Sequence, residues 1–403
     1  MSTTRSTTFR RGLASCICAI PALLGACTTG NTRIGGDYGS QPVLVAESAD
    51  RQWTGVAWIG ESGDLEVNYP RWTDEYTNAV EFLRVSRSSD AAGVERLAYP
   101  DRAMNRATDP EALSPSERRE VLIAVQAVHT DARGRLWILD TGNPGFGGVL
   151  EGAPKLVMVN PSTGRVERTY RFNEDVAREG SYLNDVRIHT ELQRAYITDS
   201  GIGGLIVVDL DTARARRVLD GHPATMAEPG FTPIIGGRRF TGPDGETPQI
   251  HADGIAISPD GRHLYWQALT ARTLYRLPTR LLADFNADDD RLSAAIQDLG
   301  RTVVTDGMAF DGRGNLYFTA LEHDAVMYRT PTGEIRTLWS SPDLAWPDSF
   351  SYDPVRDVLY VTTAQIHRMP QFAGSSGNWP PAEPFRIYRF ALSGDRERSA
   401  DRN

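Results

Sequence analysis

Short apolar stretches alternate with tight polar turns along most of this chain, and the alternation repeats. The clearest unit is Asp253-Gly254-Ile255-Ala256-Ile257-Ser258-Pro259-Asp260-Gly261, followed by Leu264-Tyr265-Trp266. A second runs Asp306-Gly307-Met308-Ala309-Phe310, a turn, then Leu316-Tyr317-Phe318. Weaker copies begin at Thr54, Gln126, Asn184 and Asp348. Each reads as a strand, a turn rich in Gly, Asp or Pro, and a second strand ending in aromatic or β-branched residues. One such unit cannot bury its own faces, so copies spaced by about forty to about seventy residues must pack together as a repeat architecture. Third strands follow at residues 155–160, 204–210, 273–277 and 325–329, and a helix is expected around 291–297. The pattern predicts an all-β fold, a six-bladed β-propeller with a central channel. A seventh blade hidden in residues 74–87 is the alternative count.

The apolar run Pro42-Val43-Leu44-Val45-Ala46 stands apart from the repeats. A terminal strand of this kind can complete the last blade and remove its open edge, so pairing beside Phe385-Arg386-Ile387-Tyr388-Arg389-Phe390 is expected. The longest insertions are residues 91–120 and 220–250, both rich in Pro, Gly and Arg with little periodicity. The propeller is therefore assigned to residues 42–393, with a flexible tether at 28–41 and a polar tail at 394–403.

The first residues read as a targeting segment. Arg5, Arg10 and Arg11 precede a mostly apolar run ending Leu24-Gly25-Ala26-Cys27, too short to span a bilayer comfortably. That ending resembles a bacterial lipobox, which implies lipidation at Cys27 and removal of the preceding leader. The residue after it, Thr28, is not aspartate, which resembles outer-membrane sorting. A plain secretory signal is the alternative; both export the protein. Contact with a membrane is expected only through the lipid. With 43 Lys plus Arg against 52 Asp plus Glu, the net charge of −9 argues against nucleic acid as a partner. Lys155 is the only lysine and reads as a surface residue at a strand start. Cys16, Cys18 and Cys27 are the only cysteines, so a processed domain has no disulfide, no thiol nucleophile and no cysteine-bound zinc. A monomer is expected.

In a propeller the first strand of each blade lines the channel and the second runs back. Strand-one starts and strand-two ends therefore share one face. The starts supply Thr54, Gln126, Asn184, Asp185, Asp253, Asp306 and Asp348, and the second strands supply Asp140 and Asp199. Trp346 precedes the last start and offers an aromatic wall, and His251 lies two residues before Asp253. An oxygen-rich ring suits a small ligand or a hard cation. Carboxyls held together there repel and become proton-transfer groups. An Asp-Gly start also caps the entry turn, so each aspartate taken alone reads first as structural.

Leu136-Trp137-Ile138-Leu139-Asp140-Thr141-Gly142 and Ala195-Tyr196-Ile197-Thr198-Asp199-Ser200-Gly201 resemble the yellow/major royal jelly protein family. So do the unit at Asp253 and Thr54-Gly55-Val56-Ala57 leading to Tyr69-Pro70-Arg71-Trp72. The resemblance covers about residues 53–390. It implies an exported six-bladed propeller, in a family whose members include insect binders of biogenic amines and proteins linked to dopachrome conversion. The chain is more distantly similar to gluconolactonase/regucalcin propellers. That likeness implies a divalent metal (calcium, magnesium or zinc), with Asn184 and Asp306 as counterparts of two of its ligands. The first-blade glutamate of that group is missing, with Thr54 in its place.

Three readings follow. The first is a small-molecule binder of an aromatic or carbonyl compound at the channel mouth, with Asp185, Asp253, Asp306 or His251 as proton shuttles for isomerisation or tautomerisation. On that reading Thr54, Gln126, Asp140, Asn184, Asp199, Trp346 and Asp348 contact the ligand. The second is a metal-dependent lactonase or esterase using Asn184, Asp253 and Asp306. The third is a non-catalytic surface module in which residues 220–250 contact another protein.

Overall fold

A computed structural model describes residues 41–393 apart from 61, 74–75, 107–108, 373 and 375–383. The leader with Cys27, the tether before residue 41 and the C-terminal tail lie outside the described residues. The strands form six antiparallel four-stranded sheets, five of them wound outward in chain order, and a two-stranded hairpin. The molecule is a six-bladed β-propeller. First strands are Val56–Ile59, Val125–Thr130, Leu183–His189, Ala252–Ile257, Thr305–Phe310 and Pro347–Asp353. They are numbered blades I to VI here.

Blade VI closes the ring. Its third strand, Phe385–Ala391, pairs with the N-terminal strand Val43–Ser48, so Leu44 faces Tyr388 and Val43 faces Arg389. The early strand thus supplies the outer edge of the last blade, as its isolation from the repeats suggests.

The core lies between blades. Trp137 and Leu156 of blade II meet Val186 and Ile206 of blade III. Leu274 and Tyr265 of blade IV meet Met308 and Phe318 of blade V, and Val45 and Ile387 of blade VI meet Val56 and Leu65 of blade I. A strand sandwiched between two neighbouring blades is covered on both faces. This is why Leu136–Asp140 and Leu316–Ala320 are apolar runs buried throughout rather than alternating. Each large side chain buried there stabilises the contact by roughly 1.5–3 kcal/mol.

Four details of the sequence reading change. Residues 80–84, in the stretch considered for a seventh blade, form the third strand of blade I, and Glu95–Ala98 inside the presumed first insertion is its fourth. The helix near 291 covers only Asp289–Ser293, capped by Asp288, which accepts the Arg291 N–H at 2.9 Å; Gln297–Arg301 is already the fourth strand of blade IV. Residues 220–250, which showed little periodicity, contain a hairpin of Ile234–Ile235 and Arg238–Arg239, with Ile235 and Phe240 buried in one cluster with Trp346 and Ile366 and with Ile234 exposed. Lys155 is not on the surface. It is fully buried opposite Asp140 in the neighbouring strand, with Nζ 2.9 Å from Asp140 Oδ2 and donating to the Ala153 carbonyl at 2.6 Å. Its partner was visible in the sequence, but the pairing of the two strand ends was not.

Candidate functional site

The register of the channel strands slips at the same place in five blades. The shift falls between Val125 and Ala127, Leu183 and Val186, Ala252 and Ile255, Thr305 and Met308, and Pro347 and Phe350. The skipped residues are Gln126, Asn184-Asp185, Asp253-Gly254, Asp306-Gly307 and Asp348-Ser349. A bulge frees a residue from the ladder and re-aims its side chain. The motif starts are therefore bulges that turn polar groups toward the channel mouth.

Second-strand side chains brace these bulges. Thr319 Oγ1 accepts the N–H groups of Asp306 and Gly307 at 3.0 and 2.8 Å. Thr362 Oγ1 accepts the Ser349 N–H and donates to the Thr54 carbonyl at 2.5 Å, linking blade VI to blade I. Thr198 Oγ1 accepts the Asp185 N–H and donates to the Asp253 carbonyl. In blade I, Asn68 takes this place: its Oδ1 accepts the Gly55 N–H, and its Nδ2 donates to Gln126 O at 3.0 Å. Thr54 Oγ1 donates to the same carbonyl at 3.1 Å, so it fastens blade I to blade II.

Three carboxyls meet at the mouth. Asp253 and Asp306 are hydrogen-bonded to each other through their side chains. Burial pushes the Asp306 carboxyl up to about 7, although bonds from Trp346 and Asp253 hold it down. Burial, then the Asp306 charge, pushes Asp253 well above the usual carboxylate range. Asp348 is raised well above that range by burial and then by Asp306; its Oδ1 accepts from Ser349 Oγ, while its buried Oδ2 has no hydrogen-bond partner among the described residues. The charge of Asp185 acts on all three.

A polar chain runs beside them. Tyr182 O–H donates to Gln126 Oε1 at 2.8 Å and accepts from Trp72 Nε1 at 2.6 Å. Gln126 Nε2 donates to Asn184 Oδ1 at 3.1 Å, and Asn184 Nδ2 donates to Ser200 Oγ. Aromatic rings roof the group. Phe146 stacks on Tyr182 with centroids 4.9 Å apart and on Trp72 at 5.7 Å. Phe240 packs against Phe372 and Trp346 at 5.3 and 5.2 Å. Phe146, Trp346 and Gln365 all hold positive φ at this mouth (60°, 52° and 52°), a conformation that costs non-glycine residues energy and gathers at functional sites.

Not every expected residue joins. Asp140 is saturated by the N–H groups of Ile123, Ala124 and Gly142 together with Lys155. Asp199 accepts from the N–H groups of Tyr182, Gly201 and Ile202 and pairs with Arg217 at 2.8 Å. Both are structural anchors of strand-two turns, because a carboxylate at that position meets several free amides at once. His251 Nδ1 accepts the Ala227 N–H at 3.0 Å; burial lowers its pKa, and the carboxylate that acts on it is Asp199, not the channel group. The sequence reading missed Tyr182, Trp72, Phe146, Phe240 and Phe372. Tyr182 lies two residues before Asn184, on the stretch leading into that bulge, which was the available signal.

Residues 123–375, more than half of the chain, match the family model described as major royal jelly protein. The chain belongs to the major royal jelly protein family. It is similar to protein yellow of Drosophila melanogaster, 24% identical over 347 residues that cover 82% of this chain and 61% of the relative. Protein yellow of Drosophila subobscura is 22% identical over the same share of this chain and 58% of its own length. The chain spans about 61% of the length of the first of these relatives. Among solved structures it is similar to a calcium-binding protein, regucalcin, from Agrobacterium tumefaciens, with 13% identity, coverage of 86% and 93%, and a TM-score of 0.49. A gluconolactonase from Xanthomonas campestris gives 13% identity, coverage of 88% and 99%, and a TM-score of 0.49.

The lactonase reading places a metal on Asn184, Asp253 and Asp306. Among the described residues no three His, Cys, Asp or Glu side chains are grouped to hold an ion. Asn184 Oδ1 is taken by Gln126, and Asp253 and Asp306 are turned to each other. This arrangement does not fit a metal cage.

Proposed function

We propose that this protein binds a small aromatic carbonyl compound at the roofed channel mouth and interconverts its keto and enol forms. The observation that carries the reading is the buried pair of Asp253 and Asp306 at the channel mouth, with the Trp346 indole N–H donating to Asp306 Oδ2 at 2.8 Å. Asp253 donates its proton to the carbonyl oxygen while the Asp306 carboxylate removes one from the adjacent carbon. The pair then differs only in which member holds the proton, and the ligand has changed tautomer without gain or loss of atoms. Two carboxyls held apart in proton affinity suit an acid and a base. The rings supply the wall, and Asp348 Oδ2 is left as an acceptor for a ligand hydroxyl or amine.

The leader and Cys27 support export with a lipid anchor, and the net charge of −9 supports a ligand other than nucleic acid. The test is calorimetric titration of the domain with phenylpyruvate and tyramine, and an ultraviolet assay of phenylpyruvate tautomerisation. Asp253→Asn and Asp306→Asn should each lower turnover at least tenfold, with chelator having no effect. Turnover unchanged in both variants would sink the proposal. Activity abolished by chelator and restored by calcium or zinc would favour the lactonase reading instead.

A further inference from the structure

The opposite end of the channel holds a cavity of about 510 Å³, lined by the ends of the channel strands and the turns that follow them. It is separate from the carboxyl group, which sits at the strand starts. Arg187 divides the two. From blade III its Nη2 donates to the Met308 carbonyl of blade V at 2.9 Å, so the side chain bridges two blades that are not neighbours. Its Nη1 donates to Asp185 Oδ1 and to Val186 O, both at 2.7 Å.

A guanidinium has five N–H donors. Among the described residues the three bonds leave the Nε–H and one Nη2–H without a partner, on a side chain that lines the cavity and keeps 11% exposure. His129 lines the same cavity and is neutral, because burial and then the Arg187 charge push its pKa well below the usual histidine value. Trp58, Ile257, Phe310 and Phe350 supply apolar walls. The floor therefore offers a charged two-donor grip and one neutral imidazole beside apolar walls, in a volume that suits a small ligand; of the acidic residues in the lining, Asp131 and Asp311 are held by Arg135 and Arg313, and Glu191 and Asp260 complete it. Asp185 already neutralises the arginine, which favours a single negative charge over a phosphate dianion. A carboxylate oxygen pair matches two guanidinium donors.

We infer that this second chamber is a binding site for a small monocarboxylate with an apolar body, gripped by Arg187. It is distinct from the site at the aromatic mouth and does not depend on it.

The probe is benzoate, titrated calorimetrically into the protein, with benzamide as the neutral isostere. Benzoate should bind saturably at one site and benzamide at least tenfold more weakly. Ala309→Trp, which fills the cavity, and Arg187→Gln, which removes the charge, should each weaken benzoate at least tenfold. A melting curve establishes that each variant is folded; if Arg187→Gln fails this, Ala309→Trp decides. No saturable binding, equal affinity for benzamide, or full affinity retained in folded Ala309→Trp would overturn the assignment.

Discussion

The indole Nε1–H of Trp346 donates to Asp306 Oδ2 at 2.8 Å, and the ring itself is fully buried and stacked parallel to His367 at 5.8 Å. One residue thus forms the wall of the candidate site and sets the charge of its base. Its backbone sits at φ 52°, so the ring is held in place at some conformational cost.

Trp346→Phe keeps the wall and removes the donor. The bond lowers the proton affinity of Asp306 against the larger effect of burial, so its loss should move the carboxyl above the value of about 7 that it holds with the bond. The cost in stability should be ~1–3 kcal/mol, that of a buried acceptor left unpaired. Carboxyl carbon NMR across a pH titration, with a denaturant melt, checks both. An unchanged Asp306 titration would show that the indole acts only by packing.

The carboxyl group also predicts a pH dependence of definite sign. A carboxyl raised above its unfolded value of about 3.9 contributes stability that is complete at low pH and lost as pH rises through the folded value. For Asp306 the window runs from about 4 to about 7. Asp306→Asn mimics the protonated state and has no such loss. The stability of the variant relative to the native protein should therefore rise across that window, by more than ~1 kcal/mol. Comparing the two removes the opposing contribution of the histidines, whose lowered pKa values stabilise the fold at high pH and are shared by both. A gap constant from pH 4 to 8 would contradict the assignment of a buried, protonated pair.

The sequence displayed the blades well, because a strand covered on both faces must be an apolar run and its turns must be Gly- or Asp-rich. It displayed the bulged residues too, since Asp253, Asp306 and Asp348 open the motifs. The difference between Asp253 and Asp140 was not legible. Both end or begin a strand at the same face, but Asp140 meets three free N–H groups and Lys155 whereas Asp253 meets another carboxyl. That distinction comes from which blade lies alongside. The aromatic roof was hidden for a similar reason: Phe146, Phe240 and Phe372 come from three connecting segments with no periodicity, and only closure of the ring brings them together.

Gly307 tests how the bulges are packed. A Cβ at this position would lie 2.3 Å from the Asp348 carbonyl oxygen and 3.0 Å from Ser349 Cα, both backbone atoms of the next blade. Neither can swing away as a side chain would. Gly307→Ala should cost ~3 kcal/mol, the upper range for overpacking, and displace Asp348. Gly134→Ala is the contrast: nothing lies within 4 Å, but φ is 73°, so its cost is conformational alone, about 1 kcal/mol. Denaturant melts of the two separate the effects, and equal losses would argue against close approach of blades V and VI.

The single lysine gives the last prediction. Lys155 Nζ is enclosed by Asp140 Oδ2 and the carbonyls of Ala153 and Arg118, and both members of the ion pair are fully buried. Removing one partner of such a pair leaves a charge in the interior, whereas replacing both with neutral groups costs little. Lys155→Met should therefore lose ~3–5 kcal/mol. Lys155→Met combined with Asp140→Asn should recover part of it, since the amide oxygen can still accept from the Ala124 and Gly142 N–H groups, although the Ile123 N–H loses its acceptor. Mass spectrometry after treatment with an amine-reactive ester gives an independent readout: Lys155 should stay unmodified in the native protein and react fully in denaturant. Rapid native labelling, or a double variant as unstable as the single one, would mean that the lysine is open to solvent and that the pair does not hold the blade II turn.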